Sequence, residues 1–350
     1  MQVLLGVLLH FIGGFASGSF YIPYKKVKGW AWESYWIIGG IFSWLIVPFL
    51  AAYITVPDFM NIIQAASSST IFWTYLMGLL WGVGGLTFGL CMRYLGLSLG
   101  MAVVLGFTSA FGALIPPIYR DITGDQGQTF TSLINSDGGR LVLLGVVLCL
   151  IGIVICGRAG MMKEKELNTE QKQASIKEFN LRKGLTVAVV SGILSACFNY
   201  GIEAGNEMSK AAEASGANPL FRNNVIFVVI LWGGLTTNFI WCMILNYRNK
   251  TFGDYKNQRT PLFNNYLFAA IAGTIWFLQF FFYGMGESKL GNGASSWILH
   301  MAFIILVSTM WGFAFREWKG VNRKTLLTIL LGIGVIITSV VLVGYGNSLL

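Results

Sequence analysis

The sequence predicts an all-α integral membrane protein with ten transmembrane helices, arranged as two inverted five-helix repeats with both termini outside the cytoplasm. Three observations lead to this fold class: ten long apolar stretches, an alternation of basic and non-basic gaps between them, and weak similarities between the two halves of the chain. The composition agrees, because 55% of the residues are hydrophobic and 11% are charged, against roughly 25% charged residues in soluble domains.

The ten apolar stretches follow one another along the whole chain. Most of them match the ~20 residues that a helix needs to cross the hydrocarbon layer of a membrane. They cover residues 3–22, 34–54, 71–92, 97–119, 141–157, 184–203, 223–245, 263–286, 291–313 and 325–345.

The basic residues give the orientation. Of the 24 Lys and Arg residues, 19 fall in every second gap, and the positive-inside rule makes those gaps cytoplasmic. With ten helices, both chain ends then lie on the opposite side of the membrane. The other gaps hold only Arg120, Arg140, Lys210, Arg222 and Lys289.

The long polar stretch 158–183 divides the chain into two units, 1–157 and 184–350, and is predicted to be a cytoplasmic linker. Because each unit has five spans, the two units must insert with opposite orientations, as in many secondary transporters. Two pairs of segments support a duplication: Gly14–Phe20 resembles Gly192–Phe198, and Leu144–Gly157 resembles Leu331–Gly344.

The sequence argues against several other classes of protein. The formal charge of +9 is distributed over short loops rather than concentrated on one face, so we expect no nucleic-acid partner. The chain has no zinc-binding His-Glu-x-x-His motif and no phosphate-binding loop. The sequence therefore predicts no enzyme activity, no cofactor and no metal, and the expected surroundings are a lipid bilayer.

Polar and aromatic residues repeat every three or four positions within several apolar stretches, which places them on one face of each helix. Polar side chains inside a membrane are costly and are candidates for function. The stripes consist of His10, Gly14, Ser17, Tyr21 and Tyr24; Glu33, Trp36, Gly40 and Ser43; Ser191, Ser195, Asn199 and Glu203; Trp276, Gln279, Tyr283 and Glu287; and Asn292, Ser296 and His300, with Trp297 beside them.

Together these stripes predict a shared polar cavity. Amides supply paired hydrogen-bond donors and acceptors, and aromatic rings supply flat apolar faces, which suits a neutral sugar better than an ion. Packing or a position at the membrane interface explains Trp36, Trp276, Tyr283 and Trp297 about equally well. The predicted sugar-binding residues are Ser17, Tyr21, Trp36, Asn199, Trp276, Gln279, Tyr283 and Trp297.

Coupling to protons requires a group that changes its protonation state. Only His10 and His300 are histidines, and an unperturbed imidazole titrates near pH 6.5. Glu33 is a third candidate, with a solvated charge near a helix end as the alternative interpretation. For each histidine, a neutral packing role explains the residue equally well, and coupling to sodium also fits the sequence.

Two other functions fit a chain of this kind. An exporter of small metabolites or drugs would share the fold and would favour an acidic, apolar cavity. A membrane protein that binds a sugar without moving it across the membrane would share the cavity.

Specific strings resemble the L-rhamnose-proton symporter family, and they run in the same order along nearly the whole chain. They are Tyr24–Lys28 with Trp30–Glu33, Met92–Gly96, Gly138–Arg140 with Arg158–Gly160, Glu178–Leu181 with Lys183–Gly184, Leu278–Tyr283, Ser296–Met301, and Glu317–Trp318.

The resemblance implies the drug/metabolite transporter superfamily, ten helices, the bacterial cytoplasmic membrane, and uptake of L-rhamnose driven by protons. In that membrane, the termini that the positive-inside rule places outside the cytoplasm are periplasmic. It adds weight to the candidates that lie inside matching strings. The chain departs from the family pattern at Gly291–Ser295, where the family carries an aromatic and acidic cluster; this departure bears on both substrate and coupling. The candidates within these strings are Glu33, Gln279, Tyr283, Trp297 and His300, and the resemblance also supports His10 as a candidate.

Overall fold

The computed structural model describes residues 1–95, 97–124, 127–166, 181–315 and 318–350. This part of the chain forms helices and connecting turns, and ten of its helices are long and apolar enough to cross a membrane. The prediction of an all-α membrane protein with ten spans is confirmed. The helices are α1 Gln2–Ser19, α2 Trp32–Ile41 with its continuation Val47–Thr55, α3 Ser68–Leu95, α4 Leu97–Thr123, α5 Asp137–Glu166, α6 Leu181–Ala204, α7 Asn224–Asn249, α8 Leu262–Leu290, α9 Gly293–Ala314 and α10 Arg323–Ser348.

Shorter helical segments lie between these spans. Tyr21–Tyr24 extends α1 towards its loop, and Asn206–Ala214 follows α6. The others are Phe59–Ala65, Phe130–Asn135, and the two 3₁₀ segments Pro219–Phe221 and Phe252–Lys256.

The predicted linker 158–183 is only partly described. Helix α5 continues to Glu166 instead of ending at 157, because the Lys and Glu residues beyond the apolar stretch are themselves good helix formers. Residues 167–180 lie outside the described residues, as do Gly96 and Glu317 of the strings listed above.

Helix α2 is interrupted by one wide turn. Residues Phe42–Ile46 form a π-helical segment that ends two residues before Pro48. Proline has no amide hydrogen, and its ring clashes with the carbonyl four residues earlier, which here belongs to Trp44. The wider turn relieves that clash, and the indole of Trp44 is buried.

Small residues allow the helices to pack closely, as is usual in membranes. Helices α2 and α8 meet at Gly39 and Gly273, where a Cβ added to Gly273 would lie 2.0 Å from the Gly39 carbonyl oxygen. Helices α3 and α7 meet in the same way, since a Cβ on Gly78 would lie 1.9 Å from the Ile230 carbonyl oxygen. No larger residue fits at either crossing.

The described parts of the loops that carry most of the basic residues lie at one end of the bundle, which we call the basic end. The Lys28 amide donates a 3.0 Å hydrogen bond to Asn265 at the start of α8. The Asn322 amide, before α10, donates a 2.7 Å bond to Glu166 at the end of α5.

Both chain termini lie at the opposite end, which we call the terminal end. The Asn347 amide group, near the end of α10, donates a 2.9 Å bond to the carbonyl of Leu290, the last residue of α8. A Cβ added to Gly344 would lie 3.4 Å from Val7 near the start of α1. The two termini therefore share one side of the bundle, as the even number of spans requires.

Candidate functional site

A cavity of about 180 Å³ lies in the middle of the bundle, between α1, α3, α4, α6, α8 and α9. This is far more than the roughly 10–15 Å³ that one water molecule needs. No residue lining it in the described part of the chain is Asp, Glu, Lys or Arg. The lining residues are Ser17, Trp81, Phe88, Val104, Leu105, Thr108, Ser195, Phe198, Trp276, Gln279, Phe280, Tyr283, Trp297, His300, Met301 and Ile304.

Aromatic rings from three helices form one wall of the cavity. The indoles of Trp81 and Trp276 lie 5.5 Å apart, centre to centre, and Phe280 meets Trp276 edge-on at 4.9 Å. Phe198 stacks on Phe280 at 4.1 Å. The wall therefore presents ring faces and edges of the kind that contact the CH groups of a sugar.

Uncharged polar groups occupy other positions in the lining. Gln279 on α8 is 5% exposed, and its side chain lines the cavity. Ser17 on α1 and Ser195 on α6 line it as well. Helix α8 comes close to α1 because Gly13 has no side chain; a Cβ there would lie 2.9 Å from the Gln279 carbonyl oxygen.

Hydrogen bonds tie the lining of the cavity together towards the terminal end. The Tyr283 hydroxyl donates to the Asn199 amide oxygen at 3.2 Å, and the Asn199 amide nitrogen donates to the Gly112 carbonyl at 2.8 Å. The Trp297 indole donates to the Thr108 carbonyl at 2.9 Å. These bonds join α4, α6, α8 and α9, and we call this group of five residues the terminal-end wall.

The two histidines lie together with Tyr283. The His10 and His300 ring centres are 6.4 Å apart, and each is 5.3 Å from the Tyr283 ring. Both imidazoles are buried, and neither ring nitrogen of either one has a hydrogen-bond partner among the described residues. Only His300 lines the cavity; His10 lies behind it on α1.

Charged groups lie beyond the terminal-end wall. Arg120 on α4 pairs with Glu203 on α6, across the two halves of the chain. On α8, Glu287 accepts a 2.5 Å bond from the Asn223 amide group and lies 3.7 Å from the Arg222 guanidinium. Because Glu203 and Glu287 follow Asn199 and Tyr283 by one helical turn, these charges form a second layer above the cavity.

The segment Gly291–Ser295 forms the turn between α8 and α9 and the first residues of α9. Gly291 ends α8 with a φ of +65°, a left-handed conformation that glycine adopts without strain. Asn292 caps α9, and its side-chain oxygen accepts a 3.1 Å bond from the Ser295 amide. The Asn292 side-chain oxygen is therefore used to cap the backbone of α9.

Three of the predicted site residues lie away from the cavity. Tyr21 is 46% exposed and lies beside Trp36, whose indole donates a 3.0 Å bond to Asn238. Glu33 accepts bonds of 2.8 and 2.9 Å from Asn249 and Thr251 near the basic end. Asn199 does not line the cavity either, but its amide oxygen accepts a hydrogen bond from Tyr283, which does.

The structure thus brings six of the eleven predicted residues into the lining. These six are Ser17, Trp276, Gln279, Tyr283, Trp297 and His300. Sequence reasoning missed Trp81, Phe198 and Phe280, which contribute most of the aromatic wall. Trp81 had a usable signal, because it follows Gly78 by three residues as Trp276 follows Gly273.

The sequence matches known proteins over almost its entire length. The profile of the family described as L-rhamnose-proton symport protein (RhaT) matches residues 1–348. The L-rhamnose-proton symporter of Yersinia pestis (strain Pestoides F) is 38% identical over 351 aligned positions, which cover 99% of this chain and 98% of that protein. The L-rhamnose-proton symporter of Escherichia coli O17:K52:H18 (strain UMN026 / ExPEC) matches with the same identity and coverage. The chain belongs to the L-rhamnose-proton symport protein family.

Proposed function

We propose that this protein is a secondary active transporter that takes up L-rhamnose together with protons. It is a multi-pass protein of the bacterial inner membrane and not an enzyme. The single observation that carries the proposal is a cavity of aromatic rings and uncharged polar groups in a chain that matches this family over its full length. Alternating access then requires sugar and proton to bind the inward-facing and outward-facing states with different affinities.

The uncharged lining supports a sugar as the substrate. The carboxamide of Gln279 has donors and acceptors for adjacent hydroxyls, and the hydroxyls of Ser17 and Ser195 add to them. Trp81 and Trp276 offer faces for the apolar side of the ring. The main alternative, an exporter of cationic compounds, is not favoured, because no lining residue among those described carries a carboxylate.

The sugar contacts that we propose follow the cavity. Gln279 and Ser17 bond hydroxyls directly, while Trp276, Tyr283 and Trp297 contact the sugar ring. Asn199 acts by holding the Tyr283 hydroxyl in place rather than by touching the sugar.

Tyr21 and Trp36 are assigned to the passage between the cavity and the basic end. The aromatic contacts are continuous from the wall outward: Trp276 meets Trp44 at 5.6 Å, Trp44 meets Trp36 at 6.0 Å, and Trp36 meets Tyr21 at 6.3 Å. Such a series of rings would contact the sugar as it enters or leaves the cavity.

His10 and His300 are proposed as the groups that exchange protons. Both are buried beside Tyr283, and their ring nitrogens are not engaged by any described residue. A proton on either ring therefore needs no protein hydrogen bond to be broken first. Glu33 is the second choice, because its carboxylate is already held by Asn249 and Thr251 away from the cavity.

We also propose that the two five-helix units, 1–157 and 184–350, are inverted repeats. Equivalent contacts support this: a Cβ on Gly14 would lie 2.4 Å from Phe303, and one on Gly192 would lie 2.4 Å from Phe107.

Helices α5 and α10 would be counterparts in such an arrangement, and they run in opposite directions. Gly145 approaches Val343, and its counterpart Gly332 approaches Cys156. The proposed duplication also supports placement in the drug/metabolite transporter superfamily. By the positive-inside rule, the basic end would lie in the cytoplasm and both termini in the periplasm.

The test is uptake of labelled L-rhamnose into liposomes that contain the purified protein, with and without an inward proton gradient. We expect accumulation above the outside concentration only with the gradient. Equilibration without accumulation would contradict proton coupling and leave a passive carrier. Binding without any uptake or counterflow would indicate a sugar-binding protein that does not transport, and gradient-driven extrusion would indicate an exporter.

A further inference from the structure

A polar stripe on α9 leads from the cavity towards the terminal end. His300, Ser296 and Asn292 follow one another at intervals of four residues, so they share one slowly rotating face of the helix. All three are buried. The Ser296 hydroxyl, the Asn292 amide nitrogen and both His300 nitrogens have no hydrogen-bond partner in the part of the chain that the structure describes.

Buried polar atoms of this kind require partners. Each one left unpaired would destabilise the protein by about 1–3 kcal/mol, and native proteins satisfy such groups with ordered water. Four residues of helix rise about 6 Å. One water molecule that makes two hydrogen bonds of about 2.8 Å spans that distance, so single waters fit between Asn292 and Ser296, and between Ser296 and His300.

The stripe has a charged group at its terminal end. A Cβ added to Gly293, next to Asn292, would lie 3.3 Å from a carboxylate oxygen of Glu203. The Glu203 side chain is 33% exposed and is paired with Arg120. Glu203 is thus the group that joins this stripe to the water outside the bundle.

The stripe also has a titratable group at its inner end. His300 faces Tyr283 and, 6.4 Å away, His10. The neighbouring elements also carry Arg222 and Glu287, which pair with each other at the terminal end, and Arg222 pairs with Glu213 as well. The stripe therefore runs from an exposed carboxylate to a buried pair of imidazoles.

We propose that Asn292 and Ser296 hold a file of ordered water molecules that delivers protons from Glu203 to His300, with Ser296 as the positioning residue in its middle. The Glu203 carboxylate takes a proton from external water, and each hop breaks one O–H bond as it forms the next. At the end His300 gains an N–H bond and becomes an imidazolium. This inference rests on the proposed proton coupling and adds the route by which the proton arrives.

The chain offers a matched control for Ser296. Ser295 is also a buried serine whose hydroxyl has no partner among the described residues, but it lies about 100° around the helix from Ser296. Ser296→Ala and Ser295→Ala therefore remove the same atom from the same turn. Ser296→Thr keeps the hydroxyl and tests whether that group alone matters.

Two measurements on the same liposomes separate proton delivery from sugar binding. One is the proton uptake that L-rhamnose induces, followed with a pH-sensitive dye inside. The other is exchange of labelled for unlabelled L-rhamnose at equal pH on both sides, in which the proton stays bound to the carrier.

For Ser296→Ala we expect the sugar-induced proton uptake to fall at least tenfold while exchange stays within twofold of the unmodified protein. Ser295→Ala should leave both rates within twofold, and Ser296→Thr should restore most of the proton uptake. Unchanged proton uptake in Ser296→Ala overturns the inference. Equal loss of exchange and proton uptake overturns it as well, because Ser296 would then act in sugar binding or folding. If the unmodified protein exchanges sugar but takes up no protons, proton coupling itself is refuted. That result comes from the unmodified protein alone, so it is distinguishable from a failure of the inference about Ser296.

Discussion

The hydrogen bond between Tyr283 and Asn199 allows a quantitative test of the terminal-end wall. Tyr283→Phe removes one oxygen atom and keeps the ring that lies 5.3 Å from both His10 and His300. What is lost is the 3.2 Å bond from the hydroxyl to the Asn199 amide oxygen. Because that bond joins α8 to α6, its loss acts on the wall between the cavity and the terminal end.

The size of the effect follows from burial. Asn199 is 2% exposed, so its amide oxygen gains no water when the donor is removed. A buried acceptor left unpaired costs about 1–3 kcal/mol. Each 1.4 kcal/mol is a factor of ten in an equilibrium constant. In the proposed alternating-access cycle, states that keep Asn199 against Tyr283 should therefore become about 5- to 150-fold less favourable relative to states that separate them.

The assay is the uptake rate at low sugar concentration, which reports kcat/KM, measured for a double-mutant cycle. Tyr283→Phe should lower kcat/KM by about 5- to 150-fold, since it leaves the buried Asn199 amide oxygen unpaired. Asn199→Leu should lower it at least as much, since it leaves both the Tyr283 hydroxyl and the Gly112 carbonyl unpaired. The double variant should lose less than the product of the two, with a coupling of about 1–3 kcal/mol. Strictly multiplicative losses, or a Tyr283→Phe protein within twofold of the unmodified one, would refute the reasoning.

Three further predictions concern single positions. Gln279→Leu should raise the half-saturation concentration for L-rhamnose by about 5- to 150-fold, because a sugar hydroxyl loses its buried partner; an unchanged value in uptake assays would remove Gln279 from the site. Gly78→Ala should lower stability by about 1–3 kcal/mol through overpacking against α7. Gly85→Ala serves as its control, because the new Cβ would meet no atom within 4 Å among the described residues outside its own stretch of helix. Equal melting temperatures for these two variants in detergent would contradict the packing described. Asp254→Ala should also lower the melting temperature, because Asp254 accepts bonds from a backbone amide and a serine hydroxyl at 2.8 Å each; no change would show that water replaces it.

The sequence could predict a lining residue where a polar side chain interrupts an apolar stretch. Gln279 and His300 are polar within apolar stretches, and both line the cavity. Trp36 and Tyr21 carried the same kind of signal and lie elsewhere, because an aromatic residue on a helix face is equally suited to a lining, to packing or to the membrane interface. Phe198 and Phe280 could not be recognised, because the sequence does not distinguish a phenylalanine that faces a cavity from one that faces lipid.

By itself the sequence determined the number of spans and the family, and it predicts the side of the membrane on which each loop lies. These properties depend on local physics, since hydrocarbon thickness sets the length of each apolar stretch and loop charge sets its side. Only the tertiary structure decided that Trp81 lies against Trp276, that Asn199 holds Tyr283, and that Glu33 lies far from the histidines. Such contacts join helices far apart in sequence, and each helix could rotate about its axis without changing its own hydropathy. The close approach of small residues at helix crossings, which fixes those rotations, exists only once the helices are packed.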